Sequence, residues 1–142
     1  MVVRREALCE RIAGLRAACS RLAELGTRPT TDSATEWAAE RGLQIAAQAV
    51  FDIGNHVLAG GFAERPADYA AIPGMLCGRG VIGPELEARL RGLAGFRNLL
   101  VHDYARVDPK QVREMLETRL PDLAAFADAV EEWLDRDSGA AV

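Results

Sequence analysis

Arg97, His102 and Tyr104 fall within eight residues, in the run RNLLVHDY. A guanidinium is a permanent cation whose planar fork fits two oxygens of a phosphate. An imidazole gains and loses a proton near neutral pH. A fixed positive charge beside such a proton acceptor is what phosphodiester chemistry needs when no metal supplies the charge. Spacing sets a condition on this reading. On an unbroken helix, residues five apart project about 140° from one another, whereas Arg97 and Tyr104, seven apart, nearly align. For Arg97 and His102 to share one substrate, either the helix ends near His102 or a second subunit completes the cleft. Arg97 also stands where the stripe Leu86, Leu90, Leu93 and Leu100 predicts an apolar side chain. A guanidinium there must snorkel outward, or face a phosphate or a carboxylate such as Asp52. Asn98, its neighbour, either donates a hydrogen bond to the same anion or caps the helix end.

A second polar set lies upstream in FDIGNH. Gln48, Asp52 and His56 are each four apart, with Asn55 beside them. Asp52 and His56 could form a helical ion pair or two metal ligands. A metal site needs more: the chain has only two histidines, and Cys9, Cys19 and Cys77 match no metal-binding spacing. The chemistry is therefore read as metal-free, with Asp52, Asn55 and His56 in support. Cys9 and Cys19 read as core filler in a reducing compartment.

The elements that position these groups follow from apolar period. Leu8, Ile12, Leu15, Cys19 and Leu22 predict a helix over roughly 4–25, stopped by Gly26. Ser33 with Glu36 reads as a capping box for a second helix carrying Ala39, Leu43, Ala46, Val50, Ile53 and Val57 and ended by Gly60-Gly61. A short helix over about 68–76 should be broken or kinked by Pro73. Gly83-Pro84 opens a further helix whose stripe runs to Leu100. Asp108-Pro109 is another start, and Pro121 reads as the beginning of the last helix. Trp37, Phe96, Phe126 and Trp133 read as core or interface residues. No strand-like alternation occurs. The expectation is an all-α antiparallel bundle of four to five helices, one domain over 1–142 with an ordered core of roughly 4–136, and enough apolar surface to dimerise.

Composition sets outer limits. The chain has 142 residues, 49% hydrophobic and 27% charged, which is globular rather than disordered. Its net charge of −4 excludes a bulk histone-like binder. Charge is uneven, however: residues 89–106 hold four arginines and His102 against Asp103 alone, so a local positive patch is possible on an acidic chain. No apolar run approaches a membrane span, and a cytoplasmic protein is expected.

The run GFRNLLVHDYARVDPKQV resembles the R-x4-H-x-Y signature of HepT-like toxins of the HEPN superfamily, on Arg97, His102 and Tyr104. FDIGNHVLAG is similar to the family's D-x-x-N-H helix, on Asp52, Asn55 and His56, and RPADYAAI, with Pro66 and Tyr69, resembles the segment between them. The resemblance extends over roughly Leu8 to Leu134. It implies an all-α homodimer with its catalytic cleft along the two-fold, and metal-independent, cofactor-free endoribonuclease activity carried by Arg97 and His102. It also implies a partner: an MNT-type nucleotidyltransferase antitoxin that attaches AMP to Tyr104 and silences the toxin, in a hetero-assembly of a size the sequence leaves open. The alternative is a non-catalytic helical partner and modification acceptor of such a nucleotidyltransferase.

Overall fold

The structure is a computed structural model. It describes residues 4–28, 32–102 and 104–140, with Tyr104 and residues 138–140 described by backbone alone. Among them there is no strand: seven helices, α1 Arg5–Leu25, α2 Ser33–Phe62, α3 Ile72–Gly78, α4 Pro84–Leu90, α5 Leu93–His102, α6 Pro109–Glu114 and α7 Leu120–Ala140, surround one apolar core. The class is the all-α one that the sequence implies.

α1 buries Leu8, Ile12, Leu15 and Leu22 against α2 and α7. Cys19 is partly buried on the same side, but Cys9 is exposed. It follows Leu8 by 100° of helix rotation, which carries it off the inward stripe. α2 is capped one residue earlier than the capping-box reading places it. The carboxylate of Asp32 accepts from the Ala34 N–H and the Thr35 hydroxyl, so Ser33 is already helical. A charged acceptor at the positive end of a helix outcompetes a hydroxyl one position on. The predicted inward face, Ala39 to Val57, is buried throughout. Gly60-Gly61 does not end the helix; it runs to Phe62 and closes on Ala63, whose φ of 55° is left-handed. Phe62 packs on Trp133 with ring centroids 5.7 Å apart, which fastens the last turn through the two glycines.

A 3-10 turn, Tyr69–Ala71, leads directly into α3, with Asp68 accepting from the Ala71 N–H. Pro73 begins this helix rather than breaking it: it lies in the first turn, where a backbone N–H has no helical partner. α3 approaches α2 closely at Gly54. A Cβ there would lie 2.4 Å from Ile72 Cγ2.

The helix predicted from Pro84 to Leu100 is two helices. Arg91 leaves the helical conformation and Gly92 takes a φ of +84°, so α5 sets its own rotation relative to α4. Asp108 caps α6 as predicted, accepting from the Lys110 N–H. Pro121 does not start a helix, since the chain is continuously helical from Pro109 onward. A π turn at Met115–Arg119 lies immediately before it. Proline lacks an N–H and crowds the carbonyl four residues back, and a locally widened turn accommodates both. Phe96, Phe126 and Trp133 are core residues, whereas Trp37 is 75% exposed. No helix is long and apolar enough to cross a membrane among the described residues.

Candidate active site

α5 buries Leu93, Ala94, Phe96 and Leu100. By helix rotation Arg97 lies at the edge of that buried face, and the residue is half-buried. α5 packs against α2 and the Tyr69–Ala71 turn, so those are the elements its side chain meets. It does not pair with Asp52. Gln48 stands between them: Arg97 Nε donates to Gln48 Oε1 at 2.8 Å, and Gln48 Nε2 donates to Asp52 Oδ1 at 2.9 Å and to Tyr69 Oη at 3.2 Å. The Arg97 guanidinium carbon lies 5.2 Å from the Tyr69 ring centroid, within cation–π range. Tyr69 is itself fixed by stacking on the buried Phe51, 5.0 Å away with parallel rings. Arg97 Nη1 donates to Asn98 Oδ1 at 3.0 Å, so Asn98 serves the arginine and not a helix end. Asp52 faces a different cation, Arg11 of α1, at 3.8 Å.

Among the described residues Arg97 therefore has no carboxylate within ion-pairing distance, and its Nη2 has no protein partner. The guanidinium is held by two side-chain amides and a phenol ring, all uncharged. On the α1 side of Gln48 and Asp52 the surface is open, forming a groove of about 390 Å³ bordered by Arg11, Arg41 and Gln44.

His102 is the last residue of α5 and is exposed. Because the helix persists up to it, the 140° separation from Arg97 stands, and no hydrogen bond joins the two. Asn98 narrows the gap. It draws Nη1 of Arg97 around α5, and it lies one helical turn before His102, where Cβ atoms are about 5–6 Å apart. Asn98 thus lies between the arginine and His102 along α5. Asp52 and His56 do not form the ion pair their spacing allows. His56 is exposed and Asn55 half-buried, and neither is hydrogen-bonded to Arg97. No group of three metal-ligating side chains gathers among the described residues, so Asp52 and His56 acquire no third ligand there. The side chain of Tyr104 lies outside the described residues; its backbone begins the 3-10 turn Tyr104–Arg106.

Sequence reasoning missed three members of this constellation. Gln48 was visible as part of a polar stripe, and its place four residues before Asp52 was the available signal. Tyr69 was visible only through the resemblance around RPADYAAI. Arg11 gave none, being one charge among many on the outer side of α1.

Fold and site together define a helical protein that presents a cation with no carboxylate partner among the described residues and, five positions further along α5, an exposed imidazole. The chain belongs to the Ribonuclease HepT-like family, whose model matches residues 10–130. It is similar to a protein of Archaeoglobus fulgidus described as a candidate RNase, with 31% identity over 138 residues, covering 94% of this chain and 98% of that one. It is also similar to a tRNA nuclease HepT of Aphanizomenon flos-aquae, 29% identical over 97 residues, covering 67% of this chain and 65% of the relative. Among solved structures, a tri-AMPylated HEPN toxin of Shewanella oneidensis, in complex with an MNT antitoxin, superposes with a TM-score of 0.79 over 88% of this chain and 96% of that one. The two are 23% identical, so this likeness is one of fold.

Proposed function

We propose that the chain is a metal-independent endoribonuclease, the toxin of a toxin–antitoxin pair, acting as a homodimer through Arg97 and His102. The observation that carries this reading is the state of Arg97: fixed by neutral partners and, among the described residues, free of any carboxylate, with Nη2 unused. The relatives named as RNases support the same reaction class. In the reaction, the ribose 2′-oxygen attacks phosphorus and gives its proton to the His102 imidazole. The bond from phosphorus to the 5′-oxygen breaks, and water protonates the departing oxygen. Arg97 stabilises the charge that builds on the non-bridging oxygens. The products are a 2′,3′-cyclic phosphate and a 5′-hydroxyl. Asn98 Oδ1 is engaged by Arg97, which leaves its amide nitrogen for the same phosphate. Asp52, Asn55 and His56 support the cleft from α2. A second copy brings its own α5 to the shared groove and completes the alignment that one helix gives only in part.

Regulation follows the toxin–antitoxin likeness. An MNT-type nucleotidyltransferase transfers AMP to Tyr104, and the added phosphodiester and base block RNA by charge and volume. The test is RNA cleavage in EDTA by purified unmodified protein. Arg97→Ala and His102→Ala should each lower it by about 10²-fold or more with helicity intact. Full activity in both variants would reject the site. Failure of the unmodified wild type on every RNA tried would favour a non-catalytic partner of the nucleotidyltransferase. Tyr104→Phe should remove the AMP additions seen by intact-mass measurement.

A further inference from the structure

An arginine side chain carries about 2 kcal/mol of rotamer freedom. A guanidinium that must meet a phosphate in one orientation therefore needs an external hold, and Gln48 is placed to supply it. Gln48 is placed on α2, the long helix whose inward face is fully buried, so its backbone is fixed. Its amide is fixed too. Asp52 Oδ1 is an acceptor and calls for the Gln48 NH2 group, which also reaches Tyr69 Oη, and this leaves the amide oxygen for Arg97 Nε. Asp52 is in turn faced by Arg11. The orientation of the amide is thus set before the arginine arrives.

This arrangement fixes the rotation of the guanidinium as well as its place. With Nε occupied by Gln48, the side-on fork made by Nε and Nη2 cannot close on an anion. The phosphate must meet the arginine from the Nη end, where Nη2 is unpartnered among the described residues. An acid at position 48 would hold Nε as firmly, but it would cancel the charge. A neutral amide holds the cation and leaves the charge whole.

We propose that Gln48 is the positioning residue for Arg97 in RNA cleavage, presenting the Nη end of the guanidinium to the scissile phosphate. The inference rests on the reading of Arg97 as the phosphate-contacting cation, and the experiment separates the two. One readout needs no activity: solvent exchange of the Arg97 Nε–H, followed in proton–nitrogen spectra and assigned by its loss in Arg97→Lys. It should be slow in the wild type, fast in Gln48→Met and slow in Gln48→Glu, which keeps the acceptor. The second readout is single-turnover cleavage of RNA with separately measured binding. Gln48→Met should lose about 10- to 100-fold in the cleavage step, the range for a charged group that loses its fixed position, with RNA affinity changed by less than about threefold. Gln48→Glu should cleave at least about tenfold more slowly despite its slow Nε–H exchange, because the charge is cancelled. Wild-type cleavage by Gln48→Met, or an Nε–H that stays protected in it, overturns the inference while leaving Arg97 in place. Should Gln48→Met not fold, wild-type cleavage by Gln48→Glu overturns it instead. Undiminished cleavage by Arg97→Ala sinks the underlying reading, and Nε–H exchange still decides whether Gln48 holds the side chain.

Discussion

Replacing Gly54 by alanine tests how closely α2 and α3 pack. The added Cβ would lie 2.4 Å from Ile72 Cγ2 and 3.4 Å from Leu76 Cδ1. Two effects oppose each other. Removing a mid-helix glycine gains about 1 kcal/mol, and overpacking a filled core costs about 1–3 kcal/mol. Ile72 is fully buried and β-branched, so Cγ2 cannot swing aside without moving α3. The clash wins, and the net loss is up to about 2 kcal/mol, or up to roughly 6 °C in Tm. Gly14 of α1 is the control, because nothing lies within 4 Å of a Cβ built there. Gly14→Ala should therefore gain up to about 1 kcal/mol from the same backbone effect. Differential scanning calorimetry on both variants measures the difference. Moving Ile72 also shifts Tyr69, three residues earlier, under the Arg97 guanidinium. RNA cleavage should then fall further than in a variant of equal instability made elsewhere in the core. Equal or greater stability of Gly54→Ala relative to Gly14→Ala would refute the packing argument.

Two other outcomes follow from local features. Asp32→Ala should cost about 1 kcal/mol in urea unfolding while Ser33→Ala costs little, because the cap of α2 is the aspartate; the reverse order would restore the capping box. Burial pushes the Cys19 thiol above its ordinary pKa, so less thiolate is present at pH 8 and iodoacetamide should modify the exposed Cys9 well before Cys19, as read by peptide mass mapping.

Periodicity made the helices legible, because each buries a stripe that recurs every three or four residues. Their ends were harder to read, since glycine and proline mean different things at different places. Pro73 starts a helix and Pro121 rides inside one behind a π turn, while Gly60-Gly61 is carried through and Gly92 breaks. What decided each case was packing elsewhere, such as Phe62 on Trp133. The site divides the same way. Arg97 stood out as a charge in an apolar stripe. Its contact with Gln48 spans 49 positions, and no local pattern encodes a pairing across two helices. Asp52 drew attention as the obvious counterion, yet an intervening amide takes that position.

The neutral setting of Arg97 also governs how far its influence extends. The chain carries a net charge of −4, so at long range its field repels a polyanion. At physiological ionic strength that field decays over about 8 Å. Inside that shell the undiminished unit charge of Arg97, midway along α5, outweighs the remote acids. Such a molecule draws an anion only at close quarters, and it discriminates by fit at the surface rather than by attraction from afar.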